Sequence, residues 1–510
     1  MKKARSASPD EFFGDLRHEE DLKNKAIRGG SIVVTARVLT TIIQIGGTVI
    51  LARLLTPNDF GLVAMVTAIT SIFSLFQDVG LTDATIQASE INHRQVSSLF
   101  WVNFGICFFI TVLLVSLSPA IAWFYKNKEL THIAMLEALT FVFWGLTFQH
   151  MALLKRKMLF VRVGMIGVLS YLISTVISIA MALSGFRYWA VVARDISVSV
   201  FTALFVWLFC SWRPSRPKKT PEATPLLKFG ANSAGTYILN YLAKSLDKII
   251  MGKKYGSVAL GFYSRAYYLA TTPTTQTSDS LFHVSVSTLS KLRGDPEKYR
   301  RYYLNAIGAV SFVGMPLSLF MVVMSKELVY ILLGPQWNEA AGMFSILGVG
   351  GGMFILHYTN GWLHVSAGRS DRWLKWGIIN SSFLAVAFVV GSFYGPKGIA
   401  WGYSISMILL TFPAILFAGK PFALKFKQVF SKVWRSILAA ILAAVLTSYL
   451  KGLRIFSAAL LVKLVIAAFL YLGAYVLLTI ALHGSLAPLK EMSSLLSIFL
   501  RRRPARPDEL

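Results

Sequence analysis

Charged and amide side chains recur along one face of an otherwise apolar segment, "NYLAKSLDKII". Their spacing of four, three and one residues places them on the same side of a helix. They are Asn240, Lys244, Asp247 and Lys248. Ammonium and amide groups hold an anion when they are removed from bulk water, and a nearby carboxylate keeps such cations from being buried unpaired. The pattern therefore predicts a binding face for an anionic group.

Residues 271–280 offer polar chemistry of another kind. They comprise five threonines, two serines, Pro273, Gln276 and Asp279, with no aliphatic or aromatic side chain. Each apolar flank is too short to cross a membrane, whereas the flanks and this segment together reach the required length of about 20 residues. A helix that is polar all around cannot face lipid. The segment predicts either a hydroxyl-lined wall for sugars or a pyrophosphate, with Thr274 and Gln276 as contacts, or Ser/Thr packing between helices.

Ionisable groups at membrane depth are costly and are a functional-site hypothesis by default. We predict that substrate is bound by Arg37, Gln44, Asn240, Lys244, Lys248, Arg265, Thr274 and Gln276. The carboxylates expected to balance these cations or to carry coupling protons are Asp78, Asp247 and Asp279. Snorkelling to the interface is the alternative for Arg37, Lys244 and Lys248. Structural pairing or helix packing is expected for Glu137, His150, Arg194, Asp195 and Lys463.

The elements that must position these residues are membrane helices. The 510 residues are 55% hydrophobic and 15% charged, with a mean hydropathy of +0.59, whereas about 25% of the residues in a soluble chain are charged. A net charge of +27 would suit nucleic acid if it were clustered on a soluble domain. The basic residues instead lie in short loops, mostly on the side of the amino terminus. The positive-inside rule therefore predicts that both termini are cytoplasmic.

An internal repeat organises the predicted spans. Gly61 and Gly261 match at an offset of 200, and "SGFRYWA" (184–190) matches "YGPKGIA" (394–400) at an offset of 210. We predict an all-α integral membrane fold with two parallel six-helix lobes around a central cavity, followed by two further helices. About fourteen spans are expected, near 29–52, 60–84, 97–119, 133–153, 163–184, 188–210, 229–251, 259–283, 304–325, 340–363, 374–394, 398–419, 434–450 and 456–483.

The domain boundaries follow from these spans. We predict a cytoplasmic tail (1–28), a first lobe (29–210), a Pro-rich basic linker (211–228), a second lobe (229–419), two extra helices (420–483) and a second cytoplasmic tail (484–510).

Motifs for catalysis and for cofactors are missing from the sequence. It contains no GxxxxGK phosphate loop, no HExxH, no GxSxG and no CxxC, so we expect a protein that is not an enzyme and has no metal or cofactor. Cys107 and Cys210 lie in apolar segments and are expected to be small buried residues. A membrane glycosyltransferase or polysaccharide polymerase is the alternative from another class, and it would need an acidic metal-binding motif or a large external loop.

Four stretches resemble a known family: "LARLLTPNDFGLVAMV" (51–66), "QDVGLTDATIQ" (77–87), "LLKRKMLF" (153–160) and "YGPKGIAWGYSIS" (394–406). The sequence resembles the multidrug/oligosaccharidyl-lipid/polysaccharide (MOP) superfamily in its polysaccharide flippase branch, closest to the colanic-acid exporter type. The resemblance implies a bacterial inner-membrane flippase that moves undecaprenyl-pyrophosphate-linked oligosaccharide repeat units by alternating access. It also implies that spans 1, 2, 7 and 8 line the cavity.

Glycosyltransferases and a polymerase are the expected partners of such a flippase, together with membrane lipids. The alternative within the superfamily is a multidrug or cation exporter. That function favours an acidic, aromatic cavity, whereas the predicted faces of spans 1, 7 and 8 are basic.

Overall fold

The computed structural model describes residues 19–485, apart from 79, 89, 218–223 and 453–459, and the side chains of 19–31, 224–244, 276–280 and 283 also lie outside the description. The protein is all-helical, as predicted. It divides into two compact units, Met1–Gly261 and Phe262–Leu510. The unit boundary falls inside a helix that the sequence assigned to the second lobe. The lobe and tail boundaries stay a prediction.

The first unit is built from long helices joined by short connections. They are α1 (Glu19–Leu54), α2 (Pro57–Phe73), α3 (Leu81–Gln87), α4 (His93–Tyr125), α5 (Glu129–Arg156), α6 (Phe160–Leu183), α7 (Trp189–Phe209) and the first part of α8 (Thr224–Lys291). Helix α1 begins well before the predicted start of span 1 at residue 29. Helix α8 is interrupted at Gly256, whose φ of 82° and ψ of −179° are not helical.

The second unit continues from α8. Its helices are α9 (Pro296–Val323), α10 (Ser325–Leu333), α11 (Asn338–Tyr358), α12 (Asn360–Ser366), α13 (Ser370–Gly391), α14 (Pro396–Gly419), α15 (Phe426–Lys451) and α16 (Leu460–His483). A buried cluster around Tyr299, Tyr303 and Trp362 packs against apolar side chains of α15 and α16.

Within the described residues, twelve segments are long and apolar enough to cross a membrane. They correspond to predicted spans 1–6 and 9–14. The other two predicted spans, 229–251 and 259–283, both lie within α8 on either side of the Gly256 interruption. The protein is therefore a multi-pass membrane protein, and a total of fourteen spans stays a prediction.

The repeat found in the sequence has a structural counterpart in the first unit. A Cβ atom added at Gly61 of α2 would overlap the carbonyl oxygen of Ser257, and one added at Gly261 of α8 would overlap the carbonyl oxygen of Pro57. Each glycine thus contacts the residue four positions before its repeat partner. The Ser257 hydroxyl also donates to Asn58 Oδ1 at 2.5 Å. The two helices approach closely because neither glycine has a side chain.

The second repeated stretch also has matching geometry in the two units. Gly185 has a φ of 82° and Gly395 a φ of 84°, a backbone region that favours glycine. Gly185 lies between α6 and α7, and at the opposite ends of these two helices Arg162 donates to the carbonyl of Phe209 at 2.9 Å. Arg372, which is 210 positions later, donates to the carbonyl of Phe417. Both arginines therefore satisfy carbonyls at a helix carboxyl end.

An ion-pair cluster joins α15 and α16 to α10 within the second unit. Glu327 of α10 is 2.9 Å from Lys451 Nζ and 3.5 Å from Lys463 Nζ. Burial alone would raise the pKa of Glu327, but the hydrogen bond from Lys451 and the charges of both lysines outweigh it, so this pKa lies below its usual value. Lys463 therefore contributes to helix packing, as expected from the sequence.

Replacing Gly61 or Gly261 by Ala should destabilise the protein, because the added methyl group overlaps backbone atoms that cannot rotate away. We expect a cost of about 1–3 kcal/mol for each, measured as a lower thermal midpoint of the purified protein. Gly105 has no neighbouring atom within 4 Å of an added Cβ, so Gly105→Ala is the matched control. Equal midpoints for Gly61→Ala and Gly105→Ala would contradict the close approach.

Replacing Glu327 by Gln should also lower the thermal midpoint at pH 7, since it leaves Lys451 and Lys463 without their shared carboxylate. A carboxyl whose pKa is lower in the folded state stabilises the fold above its unfolded value of about 4.3 and loses that contribution as the pH falls through the folded pKa. The difference in midpoint between wild type and variant should therefore narrow below about pH 4.3. A difference that is the same at pH 7 and at low pH would refute the ion-pair assignment.

Candidate functional site

Predicted span 2 is broken at the motif "QDVG". Helix α2 ends at Phe73, a 3₁₀ turn covers Ser74–Phe76, and α3 begins at Leu81. Gly80, just before α3, has a left-handed φ of 72°, which glycine adopts without strain. The sequence predicted one continuous helix over 60–84, and the break is therefore a correction. Broken membrane helices free backbone groups, which must then be satisfied by protein or by a cargo.

Asp78 satisfies the start of α3. Its Oδ1 accepts hydrogen bonds from the Thr82 backbone N at 2.9 Å and from the Thr82 hydroxyl at 2.8 Å. Asn103 Nδ2 of α4 donates to the same oxygen at 3.4 Å. This carboxylate thus caps a helix and links it to α4. The predicted charge-balancing or proton-carrying role of Asp78 stays a prediction.

Two of the stretches that carry the family resemblance, 77–87 and 153–160, contact each other at the carboxyl end of α3. Arg156, from the "LLKRKMLF" stretch, donates to the carbonyls of Thr85 at 3.1 Å and Ala88 at 2.5 Å. The Thr85 hydroxyl donates to Gln149 Oε1 at 2.7 Å, and both side chains are buried. Both ends of the short helix are therefore fixed by side chains of other elements.

The polar face of α1 is contacted by α7. Arg194 donates to the Thr48 hydroxyl at 3.0 Å and to the Gln44 carbonyl at 3.4 Å. Gln44 is half-buried, and Arg37 is exposed in the first unit. Arg194 was expected to take part in structural pairing, and the structure places it against Gln44, a predicted substrate contact, and against Thr48. Gln44 and Thr48 lie one turn apart on α1, but their spacing does not identify a contact from another helix.

In the first part of α8, the described side chains of the predicted polar face are those of Asp247 and Lys248. Asp247 is 1% exposed, and its Oδ1 accepts from the Lys248 backbone N at 2.8 Å. Ser245 lies 3.2 Å from Ser71, hydroxyl to hydroxyl, and this contact joins α8 to α2 within the first unit. The side chain of Lys248 is half-buried. The candidate side chains of Asn240 and Lys244 lie outside the described residues.

The threonine-rich stretch is helical, as predicted. The hydroxyls of Thr271, Thr272, Thr274 and Thr275 donate to backbone carbonyls of the preceding turn at 2.6 to 2.9 Å. Pro273 cannot donate a backbone hydrogen bond, and the threonine hydroxyls around it donate to the carbonyls of Tyr267, Tyr268 and Thr271. Thr274 has no exposed surface. Contact between Thr274 and a substrate therefore stays a prediction.

Arg265 precedes this stretch by less than two turns. It is half-buried, and its guanidinium carbon lies 5.5 Å from the ring centroid of Tyr268, a cation–π distance. The other candidates in this helix, Gln276 and Asp279, lie outside the described side chains.

Solved structures share this arrangement of helices. A structure of the lipid II flippase MurJ in an inward closed conformation matches 89% of this chain and 98% of its own length, with a TM-score of 0.70 and 14% sequence identity. An inward-facing multidrug resistance MATE transporter of the MOP superfamily matches 75% of this chain and 94% of its own length, with a TM-score of 0.61. The protein thus has the fold of MOP-superfamily transporters.

Sequence comparison narrows the class. A family model described as polysaccharide biosynthesis protein matches residues 50–342, more than half of the chain. The chain belongs to this polysaccharide biosynthesis family. The lipopolysaccharide biosynthesis protein WzxC of Escherichia coli (strain K12) is 25% identical to it over 407 residues, covering 78% of this chain and 82% of WzxC. The resemblance inferred from the four sequence stretches is confirmed.

Two substitutions distinguish the hydrogen-bonding role of the Asp78 side chain from the role of its negative charge. Asp78→Asn keeps the accepting oxygen and should leave the thermal midpoint nearly unchanged, whereas Asp78→Ala should cost about 1 kcal/mol because α3 loses its cap. The measurement is thermal unfolding of both purified variants. If Asp78→Asn is as destabilising as Asp78→Ala, the cap is not the stabilising contact. An unchanged midpoint with lost export would isolate a role of the negative charge.

Proposed function

We propose that the protein is a flippase that moves an undecaprenyl-pyrophosphate-linked oligosaccharide across the bacterial inner membrane. The observation that carries this proposal is the set of polar side chains inside predicted membrane spans, on α1, at the α2–α3 break and on α8, in a member of a polysaccharide biosynthesis family. Ionisable groups at membrane depth are costly, and a carrier of an apolar molecule would not need basic residues beyond those that stabilise the helices. The WzxC relative is named for lipopolysaccharide biosynthesis, which agrees with a cargo used to build surface glycans.

The proposed mechanism assigns the cargo's parts to different side chains. Basic residues on α1 and α8 bind the pyrophosphate, because charge-assisted hydrogen bonds to phosphate oxygens are strong in a dry environment. Amide and hydroxyl groups bind the sugars. Asp78, Asp247 and Asp279 balance the cations or carry coupling protons. The polyprenyl tail stays in the lipid, and a conformational change exposes the polar faces to each side of the membrane in turn.

The second candidate is a multidrug or cation exporter of the same superfamily, and a MATE transporter has the same fold. Such a cargo is commonly cationic and would be attracted by carboxylates. Arg37, Lys244, Lys248 and Arg265 outnumber the three candidate carboxylates, and this balance supports an anionic cargo instead.

The cellular setting belongs to the same proposal. Both termini are proposed to be cytoplasmic, since the basic loops are predicted on that side. The glycosyltransferases that assemble the cargo would then act before the flippase, and a polymerase would use the product on the other side of the membrane. Transport and not catalysis is the proposed activity.

Neutralising the proposed pyrophosphate contacts should abolish export. In a strain that lacks its own flippase, Lys244→Gln with Arg265→Gln should reduce surface polysaccharide at least tenfold, because each charged hydrogen bond contributes about 1.5–3 kcal/mol. Lipid-linked oligosaccharide should accumulate inside the cell. Lys128→Gln, which removes a charge from a connection between two spans, is the control. Normal export by the double variant at an equal membrane protein level would refute the assignment.

A further inference from the structure

A pocket with basic walls lies in the second unit, where α9 and α15 pack together. Its volume is 430 Å³, and its charged lining consists of Asp295, Glu297, Lys298, Arg300, Arg301 and Lys432. None of these residues belongs to the predicted transport site. The volume lies within the range of about 300–1,000 Å³ that ligand pockets occupy, and it is larger than a bare phosphate requires.

The pocket is held in shape by contacts behind it and across it. Lys432 Nζ of α15 donates to Asn305 Oδ1 of α9 at 3.0 Å. On the buried side of α9, Tyr299 stacks on Phe422 with ring centroids 3.6 Å apart. Tyr303 forms a hydrogen bond with the Thr359 hydroxyl at 2.8 Å. These contacts fix the backbone of the helix that carries Arg300 and Arg301, so ligand binding needs to order only the side chains.

The charge of the pocket is unbalanced. Asp295 caps α9 by accepting from the backbone N atoms of Glu297 and Lys298 at 3.2 and 3.1 Å, and it also pairs with Lys298 Nζ at 3.2 Å. Asp295 and Lys298 therefore neutralise each other. The remaining lining charges are those of Arg300, Arg301 and Lys432 against that of Glu297. Two net positive charges are left for an anion.

The position of the pocket in the membrane indicates which kind of anion it binds. The pocket lies in the first turns of α9 and α15, both of which are long and apolar enough to span the membrane, so it lies at the depth of lipid headgroups. Leu304 adds an apolar wall. Basic pockets between membrane helices on the cytoplasmic side bind anionic headgroups, and the sequence predicts that this end faces the cytoplasm. We propose that the pocket binds the phosphate group of an anionic phospholipid.

Binding of phosphatidylglycerol to the purified full-length protein tests this proposal, with native mass spectrometry or titration as the readout. The triple variant R300Q/R301Q/K432Q should bind at least about 100-fold more weakly, since each charged hydrogen bond to the phosphate contributes roughly a tenfold gain or more. R301Q alone changes an exposed residue and should lose about tenfold while keeping the wild-type thermal midpoint. Phosphatidylcholine should bind wild type and variants equally weakly.

The matched control is K291Q/K420Q/K427Q, which removes three exposed positive charges from the same predicted side of the membrane without touching the pocket. It should bind phosphatidylglycerol like wild type. Wild-type affinity in the pocket triple variant would overturn the proposal, and so would an equal loss in the control triple variant, because the attraction would then be diffuse. Displacement of the lipid by millimolar inorganic phosphate that itself binds the pocket would assign the site to a soluble phosphate compound and overturn the lipid assignment.

Discussion

Hydrocarbon supplies neither hydrogen-bond donors nor acceptors, so each backbone group that a break or kink releases needs a partner from the protein. The break between α2 and α3 follows this constraint at both ends, because Asp78 satisfies the start of α3 and Arg156 its last carbonyls. Near the proline in α8, threonine hydroxyls also donate to backbone carbonyls of their own helix. Polar side chains within the membrane are therefore needed first by the helices themselves, and a cargo can use only the capacity that remains.

Much of the fold could be predicted because each membrane helix needs a long run of apolar residues, which is easily recognised in a sequence. In the described part of the chain, twelve of the expected spans correspond to apolar helices, and the glycines chosen from the repeat have the same role in both halves. The break in span 2 could not be predicted from hydropathy, since the apolar residues on both sides continue the pattern of one span. Gly80 was the local signal, but a single glycine is also tolerated within a helix.

The candidate site was predicted less completely than the fold. Helical spacing put Asp247 on one face with Asn240, Lys244 and Lys248, because residues on one helix share a face by simple geometry, and the role of this face stays a prediction. Spacing within one helix carries no information about neighbours from other helices. For that reason the sequence missed the contact of Arg194 with Gln44 and Thr48, and it missed the cap that occupies Asp78. Pairings between distant segments require the folded chain.

The threonine hydrogen bonds have a consequence for how a cargo is distinguished. A hydroxyl has one hydrogen to donate and two lone pairs, and those of Thr271, Thr272 and Thr275 point their hydrogens at the helix's own carbonyls. What these half-buried oxygens can still offer is electron pairs. They can receive a hydrogen from a sugar hydroxyl but repel a phosphate oxygen, which has none to give. Under the proposed function, this stretch of helix would bind the sugar hydroxyls of the cargo in preference to its charged pyrophosphate.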